Sequence, residues 1–214
     1  VFEIGTAYRA EKHDTPRHLN EYVSLDVEMG FIESENDLMD IEVRILAAIF
    51  EAVSAAHADI LEEYGQTLPS REALESIPRI SHDDAKTIIK DRTGKRAFEI
   101  NHEGERELCN WAAEEHGVEA VFVYGFPRRK RPFYTYPDGQ KTKSFDLLFR
   151  GLEITTGGKR INEYDMLRET LPKFNLTEEG LADYLQIFKY GCPPHGGFAI
   201  GLERLTQKIL GLEN

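Results

Sequence analysis

Residues 22–31, Tyr-Val-Ser-Leu-Asp-Val-Glu-Met-Gly-Phe, decide the fold class. Val23, Leu25, Val27, Met29 and Phe31 alternate with Tyr22, Ser24, Asp26 and Glu28. A period of two marks a strand with one apolar and one polar face. Upstream, Phe2 to Glu11 reads as a first strand, joined to the second by a polar loop that carries Arg17 and His18. Downstream the period changes: Leu38, Ile41, Ile45, Ile49, Ala52, Ala56 and Ile60 recur at threes and fours, so 36–64 is expected to be a long helix. Ser34 and Asp37 form a candidate capping box at its start, and Gly65 a stop.

Further along, Ser81 to Asp91 and Gly104 to His116 read as helices, and Glu119 to Phe126 as a strand. Residues 128–143 read as a basic, proline-containing connection, and Ser144 to Thr156 as a β-hairpin. Thr177 is expected to cap a helix bearing Leu181, Leu185 and Phe188, and Phe198 to Gly201 to be a strand entering the helix Leu202 to Gly211. Strands at both ends and helices between them point to an α+β fold, an antiparallel sheet with helices packed on one side. The expectation is one domain over 1–214, with a mixed, largely helical insertion at about 66–120.

Composition narrows the function. Hydrophobic residues make up 41% and charged residues 30%, as in a soluble globular protein. No apolar run reaches the roughly 18 residues that a membrane span needs, and no signal peptide is visible. The two cysteines, Cys109 and Cys192, are far apart, which argues for a reducing compartment, the cytoplasm, and against a zinc site or a disulfide scaffold. A net charge of −12 repels a polynucleotide, so nucleic acid must be met by a local patch or by a part of the protein outside this sequence.

Four constellations could carry chemistry. Arg9 and Glu11 share parity on one strand, and Tyr22, Asp26 and Glu28 on the other. The hairpin therefore offers a cation for a phosphate and a ring for a base, or simply a solvated polar face. Asp146 and Glu153 are seven apart, but a turn near Arg150-Gly151 brings them onto neighbouring strands, about 5 Å apart. Carboxylates that close need a cation or a raised pKa, and oxygen-only ligands suit Mg2+ carried with a nucleotide. Thr155 to Lys159 is glycine-rich and leads into Arg160, whose planar fork matches a carboxylate. Pro193 to Gly197 leads through a short strand into a helix whose first turn holds Arg204, where the helix dipole favours anions. The basic run Arg128 to Lys130 reads as a solvated loop.

Together these blocks resemble the class II aminoacyl-tRNA synthetases. FEIGTAYRAEKHDTPRHLNEYVSLDVEM (2–29) is similar to the family's motif 2, and GGFAIGLERL (196–205) to its motif 3. RPFY (131–134), SFDLLFRGLEITTGGKR (144–160) and YGCPPHGG (190–197) resemble the archaeal and eukaryotic type of aspartyl-tRNA synthetase. The resemblance implies an enzyme that uses ATP to make aspartyl-adenylate and then charges the 3′ end of tRNA.

It implies roles as well. Arg9 and Arg204 are catalytic, Arg9 on the α-phosphate and Arg204 over the adenine. Glu11 meets the adenine amino group, and Tyr22 stacks on the ring where the family usually has Phe. Arg17 and His18 reach the outer phosphates or the tRNA end. Asp146 and Glu153 hold Mg2+, with Glu153 also part of the ATP site. Arg160, Asp26 and Gly201 form the aspartate site: Arg160 takes the side-chain carboxylate and Asp26 orients the ammonium group. The partners implied are ATP, aspartate and tRNA(Asp), with tRNA(Asn) a second candidate, and a homodimer in the full-length protein; no membrane is involved. The family's motif 1, anticodon-binding barrel and last strand have no counterpart in the sequence, so a fragment is expected. The competing readings are an asparagine-specific synthetase, a tRNA-independent asparagine-making relative, and a non-catalytic paralogue.

Overall fold

The computed structural model describes residues 5–10 and 20–213. Its centre is a six-stranded sheet. In spatial order it runs β3 (Ser24–Gly30), β10 (His195–Gly201), β9 (Leu152–Lys159), β8 (Ser144–Phe149), β5 (Ala120–Tyr124) and β4 (Arg79–Ser81). Every pairing is antiparallel except the last, where β4 runs parallel to β5. Two small ladders flank it: β1 (Ala7–Tyr8) with β2 (Glu21–Tyr22), and β6 (Pro137–Asp138) with β7 (Lys141–Thr142).

The helices are α1 (Glu35–Ala56), α2 (Ala58–Glu63), α3 (Arg71–Glu75), α4 (His82–Thr93), α5 (His102–His116), α6 (Tyr164–Thr170), α7 (Ala182–Lys189) and α8 (Leu202–Ile209). The expected 36–64 helix is two, broken at His57 (φ −137°, ψ 37°), and the Ser34–Asp37 capping box is formed. Gly65 ends the second at φ 62°. Thr177 caps no helix: a short 3-10 turn over Glu179–Leu181 leads into α7, whose first turn has no side-chain cap. Helices α3 and α6 are additions to the sequence reading, their apolar stripes too short to register.

Helices pack on both faces of the sheet, not on one. On the first face α1 and α8 cover Phe122, Phe145, Leu147, Phe149, Ile154, Phe198 and Ile200. On the second, α4 and α5 cover Val121, Val123 and Leu148. The segment 66–120 thus contributes α3, the edge strand β4 and the two helices that roof one half of the second face. The other half of that face, over β9, β10 and β3, carries Thr156, Ala199, Asp26 and Glu28. A third cluster joins Ile161, Leu167 and Leu171 to Leu185 and Phe188 of α7.

The apolar alternation in 22–31 is only partly buried. Val27 and Met29 pack on the core, whereas Phe31 is 86% exposed at φ 61°. On α1 the buried stripe is Leu38, Met39, Glu42, Val43, Leu46, Ala47 and Phe50, with Ile41, Ile45 and Ile49 at its margin. Glu42 is therefore a core position, 0% exposed, with neither carboxyl oxygen hydrogen-bonded. Burial raises its pKa from 4.5 to about 8; the nearby Thr155 hydroxyl draws it down and Asp146 pushes it further up.

A carboxyl whose folded pKa is raised contributes stability below its unfolded value, and that contribution is lost as pH rises towards the folded one. Glu42→Gln should therefore gain stability relative to the parent as pH climbs from 4.5 to about 8, with a slope of at most about 1.4 kcal/mol per pH unit. Urea unfolding of both proteins at several pH values reads this out; a gap that does not vary with pH would show that Glu42 is ionised in the folded state.

Candidate active site

Register builds the site. On the open face, Asp26 (β3), Ala199 (β10), Thr156 (β9) and Asp146 (β8) lie in one row across four strands, and Glu28, Gly197, Gly158 and Ser144 in the next. With strands about 4.8 Å apart, each row spans roughly 14 Å. The glycines make the floor flat. A Cβ on Gly197 would lie 2.1 Å from both Glu28 Oε2 and Val27 O, and one on Gly158 2.8 Å from Lys143 O.

The β8–β9 hairpin turns at Arg150 (φ 48°) and Gly151 (φ 76°), as the sequence suggested. It is not regular. Leu148 opposes Glu153 but Leu147 opposes Thr155, so Ile154 is an extra residue, a β-bulge. Ile154 packs into the first-face core, and Thr155 beside it is 1% exposed. Glu153 and Arg160 are seven apart and would face opposite ways on an uninterrupted strand. The bulge shifts the parity by one, so both belong to the open face with Asp146.

Asp146 is buried and ion-paired with Arg131 at 2.7 Å, the two side chains 8% and 9% exposed. Arg131 also lies 3.8 Å over the Phe126 ring. Glu153 is half-buried, and desolvation together with the negative charge of Asp146 lifts its pKa to about 7, while Arg204 pulls the other way. Its backbone N–H donates to Glu105 Oε2 at 3.3 Å, and Thr156 Oγ1 donates to its carboxylate at 3.4 Å. Arg204 Nη1 donates to the Glu153 carbonyl at 2.8 Å and approaches Oε1 at 3.4 Å.

The Arg160 fork reaches both oxygens of Glu28, at 3.4 and 3.3 Å, and lies 5.3 Å over the Tyr134 ring. His195 Nε2 is 4.0 Å from the same carboxylate. Asp26 is exposed and accepts from Ser24 Oγ at 2.5 Å. Gly201 closes β10 at the start of α8, where Leu202 N–H donates to Val23 O and Val23 N–H to Glu203 Oε1. Tyr22 is half-buried opposite Ala7 in the small ladder, and the Arg9 N–H donates to Asn20 O. Glu11, Arg17 and His18 lie outside the described residues.

The structure thus joins Asp146, Glu153 and Arg204 in one cluster, and Arg160 with Glu28 in a second on the same face. Sequence reading missed Arg131 as the partner of Asp146, although RPFY had singled it out. In the basic run Arg129 and Lys130 are exposed, as expected, with Lys130 paired to Glu99, whereas half-buried Arg128 donates to Thr170. Parity groups Glu28 with Tyr22 and Asp26 without giving it a role, and Glu105 has no sequence signal beyond its charge.

The acids fit a divalent ion. Two carboxylates are drawn from water close enough for one to raise the other's pKa, and the buried Asp146 Oδ1 has no hydrogen-bond partner. Among the described residues no three His, Cys, Asp or Glu side chains converge on one point. An ion here would complete its shell with phosphate oxygens and water, as Mg2+ does with nucleotides.

Comparison with known proteins agrees with this frame. The family model for class II tRNA synthetases (D, K and N) matches residues 1–214. The chain belongs to that family. It is 48% identical over 224 residues to an aspartate–tRNA(Asp/Asn) ligase of Deinococcus radiodurans and 50% identical over 216 residues to one of Thermus thermophilus. All of the chain is covered but only 51% of each relative, so it spans about half their length. Aspartyl tRNA synthetase from Entamoeba histolytica superposes with a TM-score of 0.89 at 28% identity, over 99% of this chain and 45% of that one. Asparaginyl-tRNA synthetase from Pyrococcus horikoshii, complexed with asparaginyl-adenylate, gives 0.86 at 27% identity, over 98% and 49%.

Removing Arg131 strands a buried carboxylate. Arg131→Met should cost about 3 kcal/mol, and adding Asp146→Asn should restore part of it, a coupling that a double-mutant cycle in urea detects. Additive losses would mean that the pair contributes only packing.

Proposed function

We propose that this chain is a single catalytic domain that activates aspartate with ATP and, in the whole protein, passes the aspartyl group to the 3′ end of tRNA. The observation that carries the substrate choice is Arg160. Its planar fork sits on the same face as the acid pair, beyond a glycine floor, and already holds a carboxylate, that of Glu28. A substrate carboxylate matches this geometry; a neutral amide would leave the guanidinium under-satisfied. Fold likeness alone does not choose, since it extends to an asparaginyl enzyme. The curated relatives at 48 and 50% identity, both aspartate–tRNA(Asp/Asn) ligases, favour aspartate.

In this reading the aspartate α-carboxylate attacks the α-phosphorus of ATP, the bond to the bridging oxygen breaks, and pyrophosphate leaves. The protein supplies position and charge rather than a covalent nucleophile. Arg9 steadies the developing charge on the α-phosphate, and Arg204 covers one face of the adenine, with Tyr22 on the other face, Glu11 at the amino group, and Arg17 and His18 at the outer phosphates of ATP. Asp26 faces the substrate ammonium group and Gly201 leaves room beside it. Asp146 and Glu153 would hold Mg2+, which when bound offsets the phosphate charge; Arg131 meanwhile stays paired with Asp146 in the buried wall. A cavity of about 270 Å³ beside these acids, walled in part by His82, Phe126 and Arg129, gives the leaving pyrophosphate room. The same reading takes tRNA(Asp) as acceptor with tRNA(Asn) as a second, a homodimer as the working form, and the cytoplasm as its place; no helix among the described residues is long and apolar enough to cross a membrane.

Pyrophosphate exchange by the whole protein with Mg2+ and ATP tests this. Exchange should need aspartate and not asparagine, and Arg160→Ala should lower kcat/KM for aspartate by about 100-fold, the value of a charged bidentate contact. Exchange with asparagine alone would overturn the substrate, and none with either would point to a paralogue without activity.

A further inference from the structure

Glu105 is a buried acid in the wall of the site with no part in the reaction. It stands in the first turn of α5, 6% exposed, and lines the same cavity as Asp146 and Glu153. The helix dipole favours a carboxylate there, but burial also demands a hydrogen-bonded partner. That partner is main chain. The ladder between β9 and β10 ends at Thr155, which opposes Ile200. Two residues back along β9, side chains grip the main chain of Glu153 instead. Its N–H donates to Glu105 Oε2 at 3.3 Å, and its carbonyl accepts from Arg204 Nη1 at 2.8 Å. The grip falls at the bulge, where pairing passes from Leu148–Glu153 to Leu147–Thr155. Glu105 is itself well anchored. Gly104 beside it lets α5 lie close on α4, since a Cβ there would be 2.8 Å from Ile89 Cδ1. Leu108 and Cys109, one turn on, pack in one cluster with Leu148, the residue opposite Glu153.

We propose that Glu105 is a positioning residue for Glu153: its carboxylate takes the place of a strand partner for the Glu153 N–H and so sets where the Glu153 side chain stands relative to Asp146. This rests on the reading of Asp146 and Glu153 as holders of a divalent ion. A bulge leaves a residue outside regular pairing, so the strand around it needs some other restraint to hold one geometry. Here the restraint comes from α5, which gives the segment 66–120 a task beyond roofing the sheet. An ion shared by two carboxylates senses their separation, and Glu105 controls one of the two.

Two conservative changes separate position from charge. Glu105→Gln removes the charge and keeps an oxygen acceptor at the same reach. Glu105→Asp keeps the charge and falls short by roughly 1.5 Å, one carbon–carbon bond. The probe is Mn2+, with free ion counted by its electron paramagnetic resonance signal, in the whole protein without substrates. Glu105→Asp should bind Mn2+ about tenfold more weakly than Glu105→Gln, the value of one hydrogen bond to the main chain. If Glu105 acted by charge, the order would be the reverse. A second readout does not involve the ion: the Glu153 amide, followed by hydrogen exchange and mass spectrometry, should exchange about tenfold faster in Glu105→Asp than in Glu105→Gln. Should Glu105→Asp fail to fold, Glu105→Met, of similar volume and with no oxygen acceptor, replaces it in both comparisons. Mn2+ bound as tightly in Glu105→Asp as in Glu105→Gln, or more tightly, overturns the proposal, and so does a Glu153 amide equally protected in both. Glu153→Gln is the control for the underlying reading. If it binds Mn2+ as the parent does, the ion site itself is misassigned; loss there, with no difference between the Glu105 variants, removes only the role of Glu105.

Discussion

The constraint on which the site depends is the single extra residue in β9. A strand alternates its side chains without exception, so Glu153 and Arg160, seven apart, cannot share a face unless the count is broken once between them. Ile154 breaks it. One consequence is chemical: the acid pair and the Arg160–Glu28 pair both lie on the open face. The other is mechanical: Ile154 and Thr155 are adjacent yet both buried, so the first-face core must accept a polar hydroxyl beside a phenylalanine-rich layer.

Much of this was legible in the sequence, for reasons that can be named. Elements with a strong local signal read correctly: the strand in 22–31, the Ser34–Asp37 box, the glycine stop at 65, and the turn at Arg150-Gly151. Each is set by local chemistry that tertiary packing does not reverse. For the charged residues, the sequence itself pointed only to the hairpin that sets Asp146 and Glu153 on neighbouring strands; their roles came from the resemblance. What failed was whatever depends on partners far away in sequence. The α1 stripe was placed slightly off because Glu42 reads as polar, and only the packing of α1 on the sheet, which joins strands more than a hundred residues on, makes it a core position. Helices on both faces could not be inferred, since α4 and α5 are amphipathic in a way that fits either side. Thr177 looked like a cap and is none, because a 3-10 turn intervenes before α7.

The basic run at 128–131 illustrates the same limit from the other direction. Four consecutive cations usually mean a solvated loop. Here each neighbour in space differs: Arg128 meets Thr170, Lys130 meets Glu99, and Arg131 enters the core to pair with Asp146 over Phe126. A ring beneath a guanidinium, and an acid beside it, convert a surface residue into a wall of the site. Arg131 balances Asp146 within the protein alone, just as Arg204 leans on Glu153 and Arg160 on Glu28.

These three arginine–carboxylate contacts share a logic. Each is part of a group expected to meet a charged substrate, and each arginine already has a carboxylate partner. The contacts differ in grip. Arg131–Asp146 is short and buried, at 2.7 Å, and belongs to the frame. Arg204–Glu153 and Arg160–Glu28 are longer, at 3.4 and 3.3 Å, with both acids substantially exposed. Long, solvated pairs are worth little, so a phosphate or a substrate carboxylate can take over the arginine at small cost. The tight pair holds the wall while the loose pairs are exchanged, and that division follows from burial: Arg131 and Asp146 are 9% and 8% exposed, whereas Glu153 and Glu28 are 36% and 51% exposed.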